Sequence, residues 1–388
     1  MSVVRLEGAI RRYDWGSPTA IPELLGVEPD GRPVAELWFG AHPDDPSPAP
    51  DHGSTLDAII AADPVGALGP AVISRFGERL PFLLKVLAAD RALSIQVHPA
   101  LEQARDGFAA EDRAGVPRDA PNRNYRDPNH KPELLCALTP FEALCGFRPV
   151  AETRDLLAEL ALPELDFLTT ALGAADPLRA AFTAVLEHPD PATLVGALVR
   201  AATRLGRHSD LARVVELTSD DYPGDIGVVL ALLLNHVRLE PGEAIYLGAG
   251  NVHAYLHGTG VEIMANSDNV LRCGLTSKHV DVPELLRITD FRELREPRWP
   301  ATNGVFAVPV PDFRLLPFDV SAVEGQVTLG HDEPWIVLCT EGTVAVGGEV
   351  LTPGSAAFVP AGDEAVPVEG RGTVFAAAAG VMDPVADA

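Results

Sequence analysis

Gly242-Glu-Ala-Ile-Tyr-Leu-Gly248-Ala-Gly250-Asn-Val-His253 and Gly354-Ser-Ala-Ala-Phe-Val-Pro360-Ala-Gly362-Asp-Glu-Ala365 share one spacing over 12 positions. In each, a glycine turn leads a short strand into a second glycine-rich turn, where the chain reverses into the next strand. A repeat of this kind marks the strand ends of small antiparallel jelly rolls. The copies part at the last position, histidine in one and alanine in the other, so a metal ligand in the first would be missing from the second.

Working outward, 388 residues suggest two or three domains at about 150 residues each. Residues 1–150 read as short strands joined by Pro- and Gly-rich turns. Residues 151–220 change character. Three helices are predicted from their starts at Asp176-Pro177, Asp190-Pro191 and Ser209-Asp210, where a capping side chain precedes the first turn. Strands are expected again from Asp225, and Glu293–Asn303 is the best linker candidate. The 30 basic and 55 acidic residues give a charge of −25, which repels phosphate backbones and anionic lipid. We therefore expect neither a nucleic-acid nor a membrane partner. The apolar runs Ile226–Leu234 and Val374–Met382 are far shorter than the roughly 20 residues of a membrane span. No signal peptide is visible at the start, and none of the four cysteines forms a C-x-x-C pair, so a reducing cytoplasm is expected.

Only three of the 30 basic residues are lysine: Lys85, Lys131 and Lys278. Where arginine serves by default, a retained lysine points to a need for a compact ammonium with a tunable pKa. Ser94, Gln96 and His98 alternate onto one face of a strand. Within Asn129-His-Lys-Pro-Glu133, proline favours an extended chain that puts Lys131 and Glu133 on one side. The plain alternatives are a surface strand edge and an exposed turn. His253 falls where the repeat aims a side chain inward, whereas His257, beside Gly258, is expected near a strand end and in solvent. Gln96, His98, Glu133 and His253 together would offer two imidazoles, a carboxylate and an amide oxygen; imidazole and carboxylate suit zinc with water completing the shell, whereas the amide is an unusual zinc ligand and leaves the metal's identity open. Glu262 lies in a strand opposite its apolar neighbours. Arg272 and Lys278 are candidate cations for an anionic substrate in an acidic protein. Lys85, within an apolar run, either snorkels to the surface or is buried at a site.

These residues resemble the type I mannose-6-phosphate isomerase (phosphomannose isomerase) family. The matching stretches are Tyr13-Asp-Trp-Gly-Ser17, Glu36-Leu-Trp-Phe-Gly-Ala-His42, Pro81–Lys85, Leu93–Pro99, Asn129–Glu133, Pro241 through Tyr255, and Asn266–Arg272 through Lys278, in family order across 1–290. Val252 and Ser277 stand where many members have proline. The resemblance implies a mostly β chain of two cupin-like jelly-roll barrels with an α-helical insert, the first barrel metal-bearing and the second degenerate. It divides the chain into 1–150 and 224–295 (catalytic barrel), 151–223 (helical insert) and 296–388 (barrel without metal). It implies zinc at Gln96, His98, Glu133 and His253, and a catalytic Arg272. Lys131 and Glu262 are the candidate proton carriers. Ser94, Lys278, Tyr255 and Lys85 are expected to contact the substrate, a sugar phosphate, in a monomeric enzyme. Two other readings use the same residues: a cupin oxygenase with iron, and a sugar-phosphate-binding module without turnover.

Overall fold

The computed structural model describes residues 2–206, 209–322, 327–362 and 364–380. Asp363 of the repeat and the end of the Val374–Met382 run lie outside the described residues.

The chain is mostly β, with helices concentrated between Val150 and Ser219. An 11-stranded and an 8-stranded sheet dominate. The glycine repeat marks equivalent places in the two. Ala244–Leu247 and Ala356–Val359 each begin two residues after a left-handed glycine, Gly242 (φ 88°) and Gly354 (φ 79°), and each leads to a 13-residue strand, His253–Ala265 and Val366–Ala378. Gly250 (φ 78°) makes the second turn, where a Cβ would lie 2.9 Å from the backbone nitrogen of Asp290.

The strand His253–Ala265 organises the first sheet. Its inner half pairs with Phe82–Ala89 on one side and Glu133–Ala137 on the other, and its first half pairs with Phe141–Phe147. Phe82–Ala89 is buried throughout. Val4–Leu6, at the start of the chain, pairs with Ala356–Val359 in the other sheet. Apolar side chains of both sheets meet in one core that includes Leu6, Phe39, Phe82, Ile263, Ile336 and Phe358.

The three expected helices are present. Pro177–Leu186, Pro191–Leu205 and Asp210–Ser219 begin after Asp176, Asp190 and Ser209. Asp190 accepts the Thr193 N–H and Ser209 the Ala212 N–H. Leu194, Leu198, Ala201 and Ala202 face a core shared with Val97, Leu144 and Leu271 of the first sheet.

Three differences from the sequence reading have physical causes. Residues 1–150 also hold helices, notably Pro64–Phe76 and Leu101–Arg113; in the latter only Ala104 and Gly107 are buried, too little apolar pattern to read. The linker candidate Glu293–Asn303 is docked on the first sheet: Arg298–Trp299 pairs with Ala244 and Ile245, and the Glu293 carboxylate accepts the Val150 N–H. His257 is exposed as expected but lies inside a long strand, because Gly258 (φ 122°) bends that strand and does not end it. No single helix among the described residues is long and apolar enough to cross a membrane.

Candidate metal centre

Three strands and one short loop converge on the point where the repeat aims His253. His98 follows the strand Ile95–Val97, Glu133 opens Glu133–Ala137, and His253 opens its own strand. The three side chains are buried, and their ligand atoms lie within 4.8 Å of one another. His98 Nε2 is 3.4 Å from Glu133 Oε1, and His253 Nε2 is 3.5 Å from Glu133 Oε2.

The outer ring nitrogens are already used. His98 Nδ1 meets the Asn269 carbonyl at 2.7 Å and His253 Nδ1 meets the Asn251 carbonyl at 2.9 Å. A carbonyl can only accept, so each Nδ1 carries its proton and each Nε2 points a lone pair inward. Both Nε2 atoms and Glu133 Oε2 are buried without a hydrogen-bond partner. Three orphaned acceptors aimed at one point are costly unless a cation sits among them. Burial also pushes the His98 imidazole down to about 4, which keeps it neutral and fit to bind metal. Two neutral imidazoles and one carboxylate suit zinc. Gln96, half-buried, sits opposite His253 in one ladder and opposite Arg272 in the other. Gln96 thus links the strand of His253 to the strand of Arg272.

Lys131 lies beside this cluster, its Nζ 2.8 Å from Glu133 Oε1. Burial pushes the Glu133 carboxyl up, but the Lys131 ammonium beside it outweighs that and holds it well below the usual carboxylate range.

A second buried group adjoins the first. Lys85 Nζ is 3.1 Å from Glu262 Oε2 and 3.4 Å from Glu36 Oε1, and Lys85 sits opposite Glu262 in the ladder. Tyr255 donates its hydroxyl to Glu262 at 2.8 Å, and Trp38 donates its indole N–H to Glu36 at 2.8 Å. Burial pushes the Lys85 ammonium down, but Glu36, Glu262 and Glu133 outweigh it and raise it. Burial raises Glu262 despite Lys85. The structure therefore buries Lys85, one of the two alternatives left open for it. Tyr255 is buried too, as a partner of Glu262.

Arg272 lies in the strand Leu271–Gly274, which pairs with Ile95–Val97, and Lys278 is exposed on the loop after it. Burial, then Arg126, lowers the Arg272 guanidinium. Arg272, then burial and Arg126, lowers the Lys278 ammonium. Arg126, Arg272 and Lys278 form no ion pair among the described residues. Ser94 is half-buried just before the strand that carries Gln96.

Sequence reasoning did not single out several supporting residues. Glu36 lies in one of the stretches that carry the family resemblance, but the sequence reading gave it no role. Asn269 carries no pattern signal, because its backbone carbonyl does the work at His98. Its side chain meanwhile accepts the Arg126 N–H at 2.7 Å and donates to the Asp127 carbonyl at 2.7 Å. The Asp127 carboxylate accepts the Asp268 N–H at 2.7 Å and the Asn129 N–H at 2.9 Å. This knot ties the loop behind His98 to the segment bearing Lys131 and Glu133. His130 points away from the centre, its Nε2 3.0 Å from Asp312 in the C-terminal part of the chain.

Comparison with known proteins follows this geometry. Residues 3–150 match the family model "Phosphomannose isomerase type I, catalytic domain". Mannose-6-phosphate isomerase of Escherichia coli (strain K12) is 40% identical, covering 95% of this chain and 97% of that one. Mannose-6-phosphate isomerase 1 of Arabidopsis thaliana is 34% identical, covering 93% and 90%. Among solved structures, the Salmonella typhimurium enzyme bound to fructose 6-phosphate and zinc superposes with a TM-score of 0.90 at 37% identity, covering 98% of this chain and 100% of that one. A zinc-bound mannose 6-phosphate isomerase superposes equally, with a TM-score of 0.90. Identity at this level along almost the whole length, over a buried His-Glu-His cluster with its lone pairs turned inward, makes this chain a member of the type I phosphomannose isomerase family.

Proposed function

We propose that this chain is a zinc-dependent aldose–ketose isomerase interconverting D-mannose 6-phosphate and D-fructose 6-phosphate through an enediol(ate). Three orphaned acceptors in a buried His-Glu-His cluster carry this reading, and Arg272, opposite Gln96 in the neighbouring ladder, supports it. We read both sheets as cupin-like barrels, with His98, Glu133, His253 and Gln96 holding the metal in the first. Bound zinc would polarise and orient sugar oxygens without redox chemistry.

The chain's own groups supply the rest. Isomerisation moves a proton between carbons 1 and 2 and leaves negative charge on an oxygen. Lys131, 2.8 Å from Glu133, is placed to carry a proton at the metal's edge. Glu262, its carboxyl raised by burial, is the second candidate carrier. Arg272, opposite Gln96 in the ladder, is assigned to stabilising the developing oxyanion. Lys278, exposed on the loop after Arg272, is assigned to holding the phosphate. Tyr255 and Lys85 act through Glu262. The half-buried Ser94, just before the strand that carries Gln96, is assigned a substrate contact.

A coupled assay for fructose 6-phosphate formation, with and without chelator, tests the activity. Arg272→Ala is expected to keep its zinc and lose most turnover; near-normal turnover in that variant removes Arg272 from the reaction.

A further inference from the structure

Arg272 and Lys278 have no carboxylate partner among the described residues, so side-chain pairing does not aim them. The backbone must. The turn between them is held from an unexpected place, the exit of the helical segment. Asp225 lies between the helix Asp210–Ser219 and the short helix Gly227–Leu230. Its Oδ1 accepts the N–H of Gly227 and the N–H of Leu275, both at 2.7 Å, and its Oδ2 accepts the Thr276 N–H at 3.1 Å. Leu275 has a φ of 51°, a left-handed conformation unfavourable for a leucine, which persists only where its surroundings fix it. Thr276 passes the restraint on, since its Oγ1 accepts the Lys278 N–H at 3.0 Å. The contact is also tight: a Cβ on Gly274 would lie 2.6 Å from the Cα of Gly227.

The same exit segment grips the other strand of the pair. The Asp221 carboxylate meets Arg91 at 2.6 Å and accepts the Ala92 N–H at 3.0 Å, and the Tyr222 hydroxyl donates to the Ala92 carbonyl at 3.0 Å. Residues 221–227 thus hold the chain just before Gln96 and just after Arg272, in two strands that pair with each other.

We infer that Asp225 is a positioning residue that sets the turn aiming Arg272 and Lys278 at the substrate's phosphate, so that the exit of the helical segment tunes anion affinity in the active site. This rests on reading those two cations as the phosphate grip. Asp225 touches no substrate. It acts through the turn at Leu275 and Thr276.

The test uses the zinc-loaded enzyme and inorganic phosphate as competitive inhibitor. Asp225→Asn turns an amide toward backbone donors that need an acceptor. The phosphate inhibition constant and KM for fructose 6-phosphate are expected to rise together by about fivefold to tenfold, the worth of one hydrogen bond, with zinc content unchanged. If both constants stay at the parent value, or if zinc is lost while the phosphate constant holds, the inference is overturned. Thr276→Val probes the same turn one step closer and is expected to weaken phosphate by a smaller factor; it decides the matter if Asp225→Asn does not fold, and an unchanged phosphate constant there counts against the inference. Lys278→Ala separates the two claims. If it weakens phosphate and Asp225→Asn does not, only the positioning role fails. If Lys278→Ala leaves phosphate inhibition intact, the phosphate grip itself fails, and the inference with it.

Discussion

Lys85 is an ammonium with almost no access to water, placed between two carboxylates and 5.1 Å from the centre of the Trp38 ring. Removing one partner of a buried ion group leaves uncompensated charge, which costs more than the group contributed as a whole. Lys85→Met should therefore destabilise the fold by about 3–5 kcal/mol, read as a fall in melting temperature. Adding Glu262→Gln should recover part of that loss, because the remaining glutamate then no longer faces a second charge. Lys131 makes a different case, since it is half-buried and touches Glu133, a proposed metal ligand. Lys131→Met is expected to lower kcat by on the order of 100- to 10,000-fold, the usual worth of a proton carrier, with zinc content retained on metal analysis.

Among the elements, the helix Asp210–Ser219 is fastened to the first sheet by charge as well as by apolar contact. Glu142, on the strand Phe141–Phe147, receives Arg213 at 3.0 Å and His236 at 2.9 Å. Burial pushes the Glu142 carboxyl up, but His236 and Arg213 outweigh it and hold it down to about 2, against an ordinary 4.5. A lowered folded-state pKa gives stability that is present in full above the unfolded value and fades as pH falls through the folded one. Acid should thus remove about 2–3 kcal/mol between pH 4.5 and 2 through this group. Unfolding measured across that range should show a shallower slope in Glu142→Gln; an identical slope would show that Glu142 does not couple the helix to the sheet.

The same scale shows what could be read from the sequence. Helices opened by Asp190 or Ser209 announce themselves, because a capping side chain is a local signal. Leu101–Arg113 does not, since its buried face is Ala104 and Gly107, the latter packed against Tyr125. His98, Glu133 and His253 were legible as polar residues on otherwise apolar strands. The Asn269 carbonyl and the Asp225 clamp were not, because both act through backbone atoms brought in from distant segments.

At the level of the whole molecule, the metal is a ligand of the folded state only. With free zinc at 100 times its dissociation constant, binding should add about 2.7 kcal/mol of stability. Chelation should lower the melting temperature and zinc should restore it, whereas Glu133→Gln should leave a melting temperature that responds little to either. The tie between His130 and Asp312 brings the C-terminal part against the segment that carries Lys131, so the two sheets share more than apolar area.

The pairing of Val4–Leu6 with Ala356–Val359 has a consequence for how the protein is made. On the ribosome, Val4–Leu6 can find its neighbour only after the chain as far as Ala356–Val359 has followed. Until then its backbone donors and acceptors stay open to whatever extended peptide is nearby. Premature termination ahead of Ala356 would orphan that leading strand, so a truncated product is a hazard to its neighbours in the cell as well as a lost enzyme.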